Sequence, residues 1–294
     1  MPDDMTADIR GIQNIVTGPI SRRKFVVTSA FAAGFALAVR PAVGQSVITT
    51  DTAGLTTGDV KIPVAGGTAN GYFAHPASGG PFATVLVIHE IFSVHEHIKD
   101  VVRRLAKAGY YAIAPDLYSR VGDVGSMKTI DEIRPVVAKV YDKDAMADLD
   151  STVAFAKASG KANTDKLGVT GFCAGGRYTW MYAAHNPNLK AAVTWYGPLV
   201  GQPNETRPTN PIDNVANLKC PVLGLYGGAD TGIPNDTVEQ MKAAMQKAGK
   251  VGEFMVYPDT PHAFNADYRP SYREAQAKDA WQKMLAWFKK YGVA

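Results

Sequence analysis

The feature that most constrains the fold is the run FATVLVIHE at residues 82–90, which is apolar almost without a break. A strand exposed on one face alternates apolar and polar residues; a continuous run belongs in a strand covered on both faces. Similar short runs recur down the chain: YYAIAPDLY (110–118), KLGVTGFC (166–173), AAVTWYG (191–197), CPVLGLYGGAD (220–230) and GEFMVYPDT (252–260). Helical patterns separate them. In IKDVVRRLAKAG, Ile98, Val101, Val102 and Leu105 fall at helical spacing and the pattern stops at Gly109. Two more fill residues 128–159, and others follow in GGRYTWMYAAHN, PNDTVEQMKAAMQKAG and the final AQAKDAWQKMLAWFKKYG. Repeated β-α-β units give a mostly parallel twisted sheet with helices on both faces. DVKIPV (59–64) and ANGYFAHP (69–76) are expected to add an antiparallel pair joined through Gly66-Gly67.

Before residue 58 the pattern is different. Arg22-Arg23, then Lys24 and an apolar run from Phe25 to Val39, lead to the small-residue stretch Ala42-Val43-Gly44. This is the layout of an export signal of the twin-arginine type. The run is shorter than the roughly 20 residues a spanning helix needs. Residues 1–44 are therefore expected to be a leader cleaved after Gly44, with export to the periplasm and no stable membrane anchor. Residues 45–57 are expected to be a linker and residues 58–294 one catalytic domain, monomeric.

Composition excludes several function classes. Net charge is +4, and the first 44 residues hold five basic and three acidic side chains, so the remainder carries only about +2. That balance gives no reason to expect nucleic acid as a partner. Two cysteines, Cys173 and Cys220, exclude a disulfide framework. Cys220, ahead of Pro221 at a strand start, reads as core.

In an open parallel sheet, ligands sit at the carboxyl ends of the strands. Those ends deliver His89, Glu90 and Ile91; then Cys173; then Asp230; then Asp259 with His262 beyond it. Gly171 and Gly175 flank Cys173 at two residues on either side, the outline of a nucleophile elbow with cysteine in the place of serine, and Gly176 allows close packing at the helix start. Cys173, Asp230 and His262 follow in the chain order nucleophile, acid, base. His262 would take the thiol proton and return it to the leaving group, and Asp230 would fix the imidazole tautomer. Asp259 competes with Asp230, but lies on the same loop as His262. The backbone N–H groups of Ala174 and Ile91 are the expected oxyanion donors. Glu90, directly after an apolar strand, is expected to be buried with a raised carboxyl pKa, beside Cys173, holding the thiol proton at rest. His89, His95 and His97 beside Glu90 and Glu96 suggest a metal, but on an extended segment the rings of His95 and His97 would point to opposite sides and no distant ligands complete a set. No metal and no cofactor are expected.

The blocks VIHEIFSVHEHIKDVVRRLAKAGYYAIAPDLY, GVTGFCAGGR, YGGAD and PHAF, in this order and spacing, resemble the dienelactone hydrolases (carboxymethylenebutenolidases) from about residue 58 to the end. The resemblance implies an α/β-hydrolase fold, a Cys-Asp-His triad, and hydrolysis of an enol-lactone ester bond through an acyl-thioester. It also implies that Glu90 matches a glutamate that pairs with the resting thiol and is displaced by substrate. Family members bind the substrate carboxylate with arginines, one of them four residues after the histidine. Here Ala266 stands at that position, with Arg269 the nearest arginine downstream; Arg134 is a candidate for the other. The expected partners are a small ester or lactone and the export machinery. Outside that reading stand a general periplasmic carboxylesterase, a prolyl-oligopeptidase-like peptidase, which would carry serine and an extra domain, and a binding protein that has lost catalysis.

Overall fold

The computed structural model describes residues 48–294. The expected leader, 1–44, and the first residues of the expected linker lie outside the described residues. The rest of that linker is already part of the domain. β1 (Leu55–Val64) begins before residue 58. Ahead of it the Ile48 N–H donates to Asp267 Oδ2 at 3.1 Å and the Thr50 N–H to Asp100 Oδ1 at 2.5 Å.

β1 and β2 (Gly67–Pro76) form the expected antiparallel hairpin, with Val64 opposite Gly67. Then follow β3 (Phe82–Ile88), α1 (Glu96–Lys107), β4 (Tyr111–Pro115), α2 (Ile130–Val137) and α3 (Asp142–Ala158). The second half runs β5 (Ala162–Phe172), α4 (Ala174–His185), β6 (Leu189–Trp195), a short 3₁₀ segment (Pro211–Asn217), β7 (Val222–Gly227), α5 (Asn235–Lys247), β8 (Gly252–Tyr257) and α6 (Glu274–Lys290). One sheet takes the order β1-β2-β4-β3-β5-β6-β7-β8. β2 runs antiparallel to both its neighbours and every other pair is parallel. With helices on both faces, this is the α/β-hydrolase arrangement.

The apolar runs explain the centre of the sheet. Val85, Leu86, Val87 and Ile88 of β3 and Val169 and Phe172 of β5 are wholly buried. β5 starts earlier than its apolar part because a register shift lets polar residues Thr164–Lys166 bulge out, Ala83 facing Asn163 and Thr84 facing Leu167. The strand order reverses at β3, whose neighbours are β4 and β5. A crevice opens at such a reversal, at the carboxyl ends of the strands. Ile88 pairs with Gly171 and Phe172 with Trp195, so the ends of β3, β5 and β6 stop level with one another. Among the described residues no helix is long and apolar enough to cross a membrane.

Candidate active site

Cys173 is the single residue between β5 and α4, with φ 53° and ψ −115°. A non-glycine residue held there costs about 1–3 kcal/mol, which the surroundings must enforce. Its N–H donates to the Trp195 carbonyl at 3.0 Å, tying the turn to the end of β6. A Cβ on Gly171 would lie 2.4 Å from the Gly175 carbonyl oxygen, and one on Gly175 would lie 2.2 Å from that of Ile88. Both contacts are with backbone, so no side chain fits and the turn closes only with glycine. Gly176 abuts Gly197 in the same way, its Cβ position 2.7 Å from Cα. The elbow is thereby built, and it holds the sulfur at the crevice. Ala174 opens α4 and Ile91 lies in the turn after β3, and both are buried.

The Asp230 carboxylate is fixed twice. Its Oδ1 accepts from the N–H groups of Gly232 and Ile233 at 3.0 and 3.1 Å, and Oδ2 lies 2.7 Å from His262 Nδ1. Both side chains are buried. Asp259, the competitor, sits exposed in a turn with φ 54° and takes no part. Burial works to lower the His262 pKa, but the charges of Asp230 and Cys173 outweigh it and raise it to about 10. Its Nε2 is buried without a hydrogen-bond partner among the described residues, and the Tyr196 ring stands edge to face with the imidazole, 4.9 Å between ring centres.

Glu90 departs from expectation in two respects. It is buried, as expected, and burial does push its carboxyl pKa up. Yet the facing His95 imidazole and the charges of Arg269 and His97 hold it well below the usual carboxylate range. The surrounding charges thus favour the ionised form of Glu90. Its hydrogen bond is not to the thiol either: Tyr268 OH donates to Oε2 at 2.5 Å, and Oε1 is buried without a partner among the described residues.

His95 and His97 do not lie on an extended segment. His95 caps α1 and His97 falls in its first turn, which brings the two rings to one side, stacked 6.0 Å apart at 21°. His95 Nε2 stands 3.8 Å from Glu90 Oε2, and His97 Nδ1 is 2.8 Å from Asp267 Oδ1. Both imidazoles are therefore engaged by carboxylates, one of them Glu90. His89 is structural: Nδ1–H donates to the Glu90 carbonyl at 2.6 Å and Nε2 accepts from the Leu117 N–H at 3.0 Å, which fixes a neutral tautomer that burial also favours. Cys220 is a buried free thiol whose pKa burial raises to about 12.

Ala266 is fully buried, and Arg269 lies over Phe92 and Tyr268 at 5.1 and 5.5 Å from their ring centres, within electrostatic reach of Glu90. Arg134 sits on α2, 3.8 Å from Asp131. Two site residues escape sequence reasoning. Tyr196, at φ 39° just past β6, is a strand-end residue that the carboxyl-end rule could have found. Tyr268 lies in an irregular loop where no spacing marks it. Together these groups bury a cysteine on a rigid turn and an imidazole locked by a carboxylate, an arrangement suited to acyl transfer.

Known proteins resemble the chain along most of its length. The sequence model of the dienelactone hydrolase family matches residues 69–292. A protein of Methylorubrum extorquens named "Putative carboxymethylenebutenolidase" is 57% identical over 98% of this chain and 98% of its own. One of the same name from Escherichia coli K12 is 50% identical over 88% of this chain and 96% of its own. The crystal structure titled "Putative Dienelactone Hydrolase" from Klebsiella pneumoniae superposes with a TM-score of 0.78 at 50% identity, covering 81% of this chain and 99% of that one. The chain belongs to the dienelactone hydrolase family.

Proposed function

We propose that the protein hydrolyses an activated ester or lactone through Cys173, Asp230 and His262, with a carboxymethylenebutenolide-type enol lactone as the model substrate. The observation that carries this reading is the buried Asp230–His262 pair, 2.7 Å apart, beside a cysteine on a strained elbow. The thiolate is the attacking form of cysteine, and an imidazole of raised pKa holds the proton at neutral pH. Cys173 adds to the ester carbonyl, and the N–H groups of Ala174 and Ile91 receive the oxyanion. Collapse breaks the C–O bond, His262 gives its proton to the departing oxygen, and an acyl-thioester remains. The neutral imidazole then takes a proton from water, which attacks the thioester and restores Cys173. Thiolate leaves readily from a tetrahedral intermediate, so the cysteine suits esters with good leaving groups, such as enolates, rather than amides.

Glu90 serves as a nearby base that can take a thiol proton when Tyr268 or His95 releases it. In the same reading residues 1–44 are an export leader, and N-terminal sequencing of the protein from a periplasmic extract should begin at Gln45. The central test is turnover of an enol lactone and a nitrophenyl ester by wild type, Cys173→Ala and Cys173→Ser. Loss of at least about 10³-fold in Cys173→Ala is expected. Retained turnover in that variant removes Cys173 from the mechanism.

A further inference from the structure

We propose that Asp267 and His97 are positioning residues: this buried pair holds Tyr268 against Glu90, and through Tyr268 it sets which way the Glu90 carboxylate points. The proposal rests on the hydrolase reading above.

Asp267 and Tyr268 are neighbours in the loop after His262, and the first is pinned while the second reaches into the site. The Asp267 side chain is buried, and its Oδ1 lies 2.8 Å from His97 Nδ1. Its Oδ2 accepts from the Ile48 N–H at 3.1 Å and lies 3.6 Å from Arg104 NH2. The stretch ahead of β1 and helix α1 therefore meet on one carboxylate. The next residue sends its hydroxyl to Glu90 Oε2 at 2.5 Å. Burial and the charge of Glu90 push the Tyr268 pKa up, so the phenol stays protonated and donates.

His97 links the two neighbours. Its ring centre lies 5.3 Å from that of Tyr268, and His95 stands edge-on to the same phenol at 5.0 Å. Two imidazoles thus flank the tyrosine ring and fix its tilt. His97 Nε2 is buried without a hydrogen-bond partner among the described residues, so Nδ1 carries the ring's hydrogen bonding and Asp267 decides its orientation. A hydrogen bond to a carboxylate is stronger than one between neutral groups. The loop's backbone bonds near Tyr268 are local turns, Ala266 N–H to the Ala263 carbonyl at 2.9 Å and Arg269 N–H to that of Ala266 at 3.0 Å. They give the loop its shape but not its place against Glu90; the Asp267 side chain supplies the place. Asp230 orients His262 directly, whereas Asp267 acts on Glu90 at one remove, through a tyrosine.

The test is a double-variant cycle on nitrophenyl butyrate, with wild type, Asp267→Ala, Tyr268→Phe and the two combined. Tyr268→Phe removes one hydrogen bond to a charged group and should lower kcat/KM about 10- to 100-fold. Asp267→Ala should lower it about 10-fold when Tyr268 is present and less than about 2-fold when phenylalanine stands there. Asp267→Asn keeps one oxygen for His97 and should recover part of the loss. Urea midpoints should fall equally in both backgrounds, because lost packing does not pass through the hydroxyl. A second readout is fluorine NMR of 3-fluorotyrosine placed at position 268. Its resonance in Asp267→Ala should move toward its position in Glu90→Leu, where the phenol has no carboxylate to bond. Equal rate losses in both backgrounds, or a resonance that stays at its wild-type position in Asp267→Ala, overturns the proposal. Should Asp267→Ala not fold, Asp267→Asn takes its place in the cycle and in the spectra. If wild type hydrolyses no ester, the hydrolase reading fails, and the fluorine resonance still decides by itself whether Asp267 holds Tyr268 on Glu90.

Discussion

Asp230 and His262 are joined by a 2.7 Å hydrogen bond between Oδ2 and Nδ1, both side chains buried, and the histidine pKa is raised from 6.5 to about 10. A raised histidine pKa contributes stability in full below about pH 6.5, and that contribution disappears as pH rises through about 10. Asp230→Asn removes the carboxylate and leaves the imidazole free to take the wrong tautomer. Its kcat should fall about 10³- to 10⁴-fold. Its melting temperature should lie below that of wild type at pH 6, with the gap closing between pH 7 and 10. A gap that widens toward high pH would contradict this charge assignment.

The elbow is a packing device as well as a catalytic one. Gly175 faces backbone of β3, its Cβ position 2.2 Å from the Ile88 oxygen and 2.5 Å from that of His89. Gly175→Ala must push α4 away from the strand end that leads into Glu90 and Ile91. We expect destabilisation of about 1–3 kcal/mol by urea titration. Activity should fall further than stability alone would cause, because the two expected oxyanion donors move apart. Equal activity per folded molecule would argue that their separation does not matter.

Where the sequence was legible, one strong local signal decided the outcome. Continuous apolar runs located the central strands, and turn glycines located the elbow, because a strand covered on both faces and a turn with no room for Cβ admit few residues. Asp230 was legible for a similar reason, lying just past β7. The surroundings of Glu90 were not. Its charge state depends on Tyr268, Arg269 and His97, brought in by the loop after His262 and by the first turn of α1. Sequence reasoning weighed burial, which does act in the expected direction, but could not count the donors that oppose it. The stacking of His95 and His97 was missed because the start of α1 was placed too late.

Arg269 sets the acid side of the site. Together with His95 and His97 it opposes burial and keeps Glu90 ionised. A depressed carboxyl pKa contributes stability above about pH 4.5 that is lost as pH falls. Arg269→Gln weakens that contribution. The stability gap from wild type should be full at pH 7 and narrow on acidification, read as urea midpoints from pH 3 to 8. The acid limb of kcat/KM should move to higher pH, since Glu90 then protonates sooner. An acid limb that stays in place would mean that ionised Glu90 is not needed for turnover.

Arg177 and Asp142 tie the first turn of α4 to the first turn of α3 through their buried two-pronged pair, and Arg177 also holds the Thr209 carbonyl of the β6–β7 connection. Removing one partner leaves the other charge buried and unmatched. Arg177→Met and Asp142→Leu should therefore each cost about 3–5 kcal/mol, while the double variant should be far more stable than the sum of the two losses implies. Urea titrations of the four proteins close this cycle; strictly additive losses would show that the pair acts only through packing.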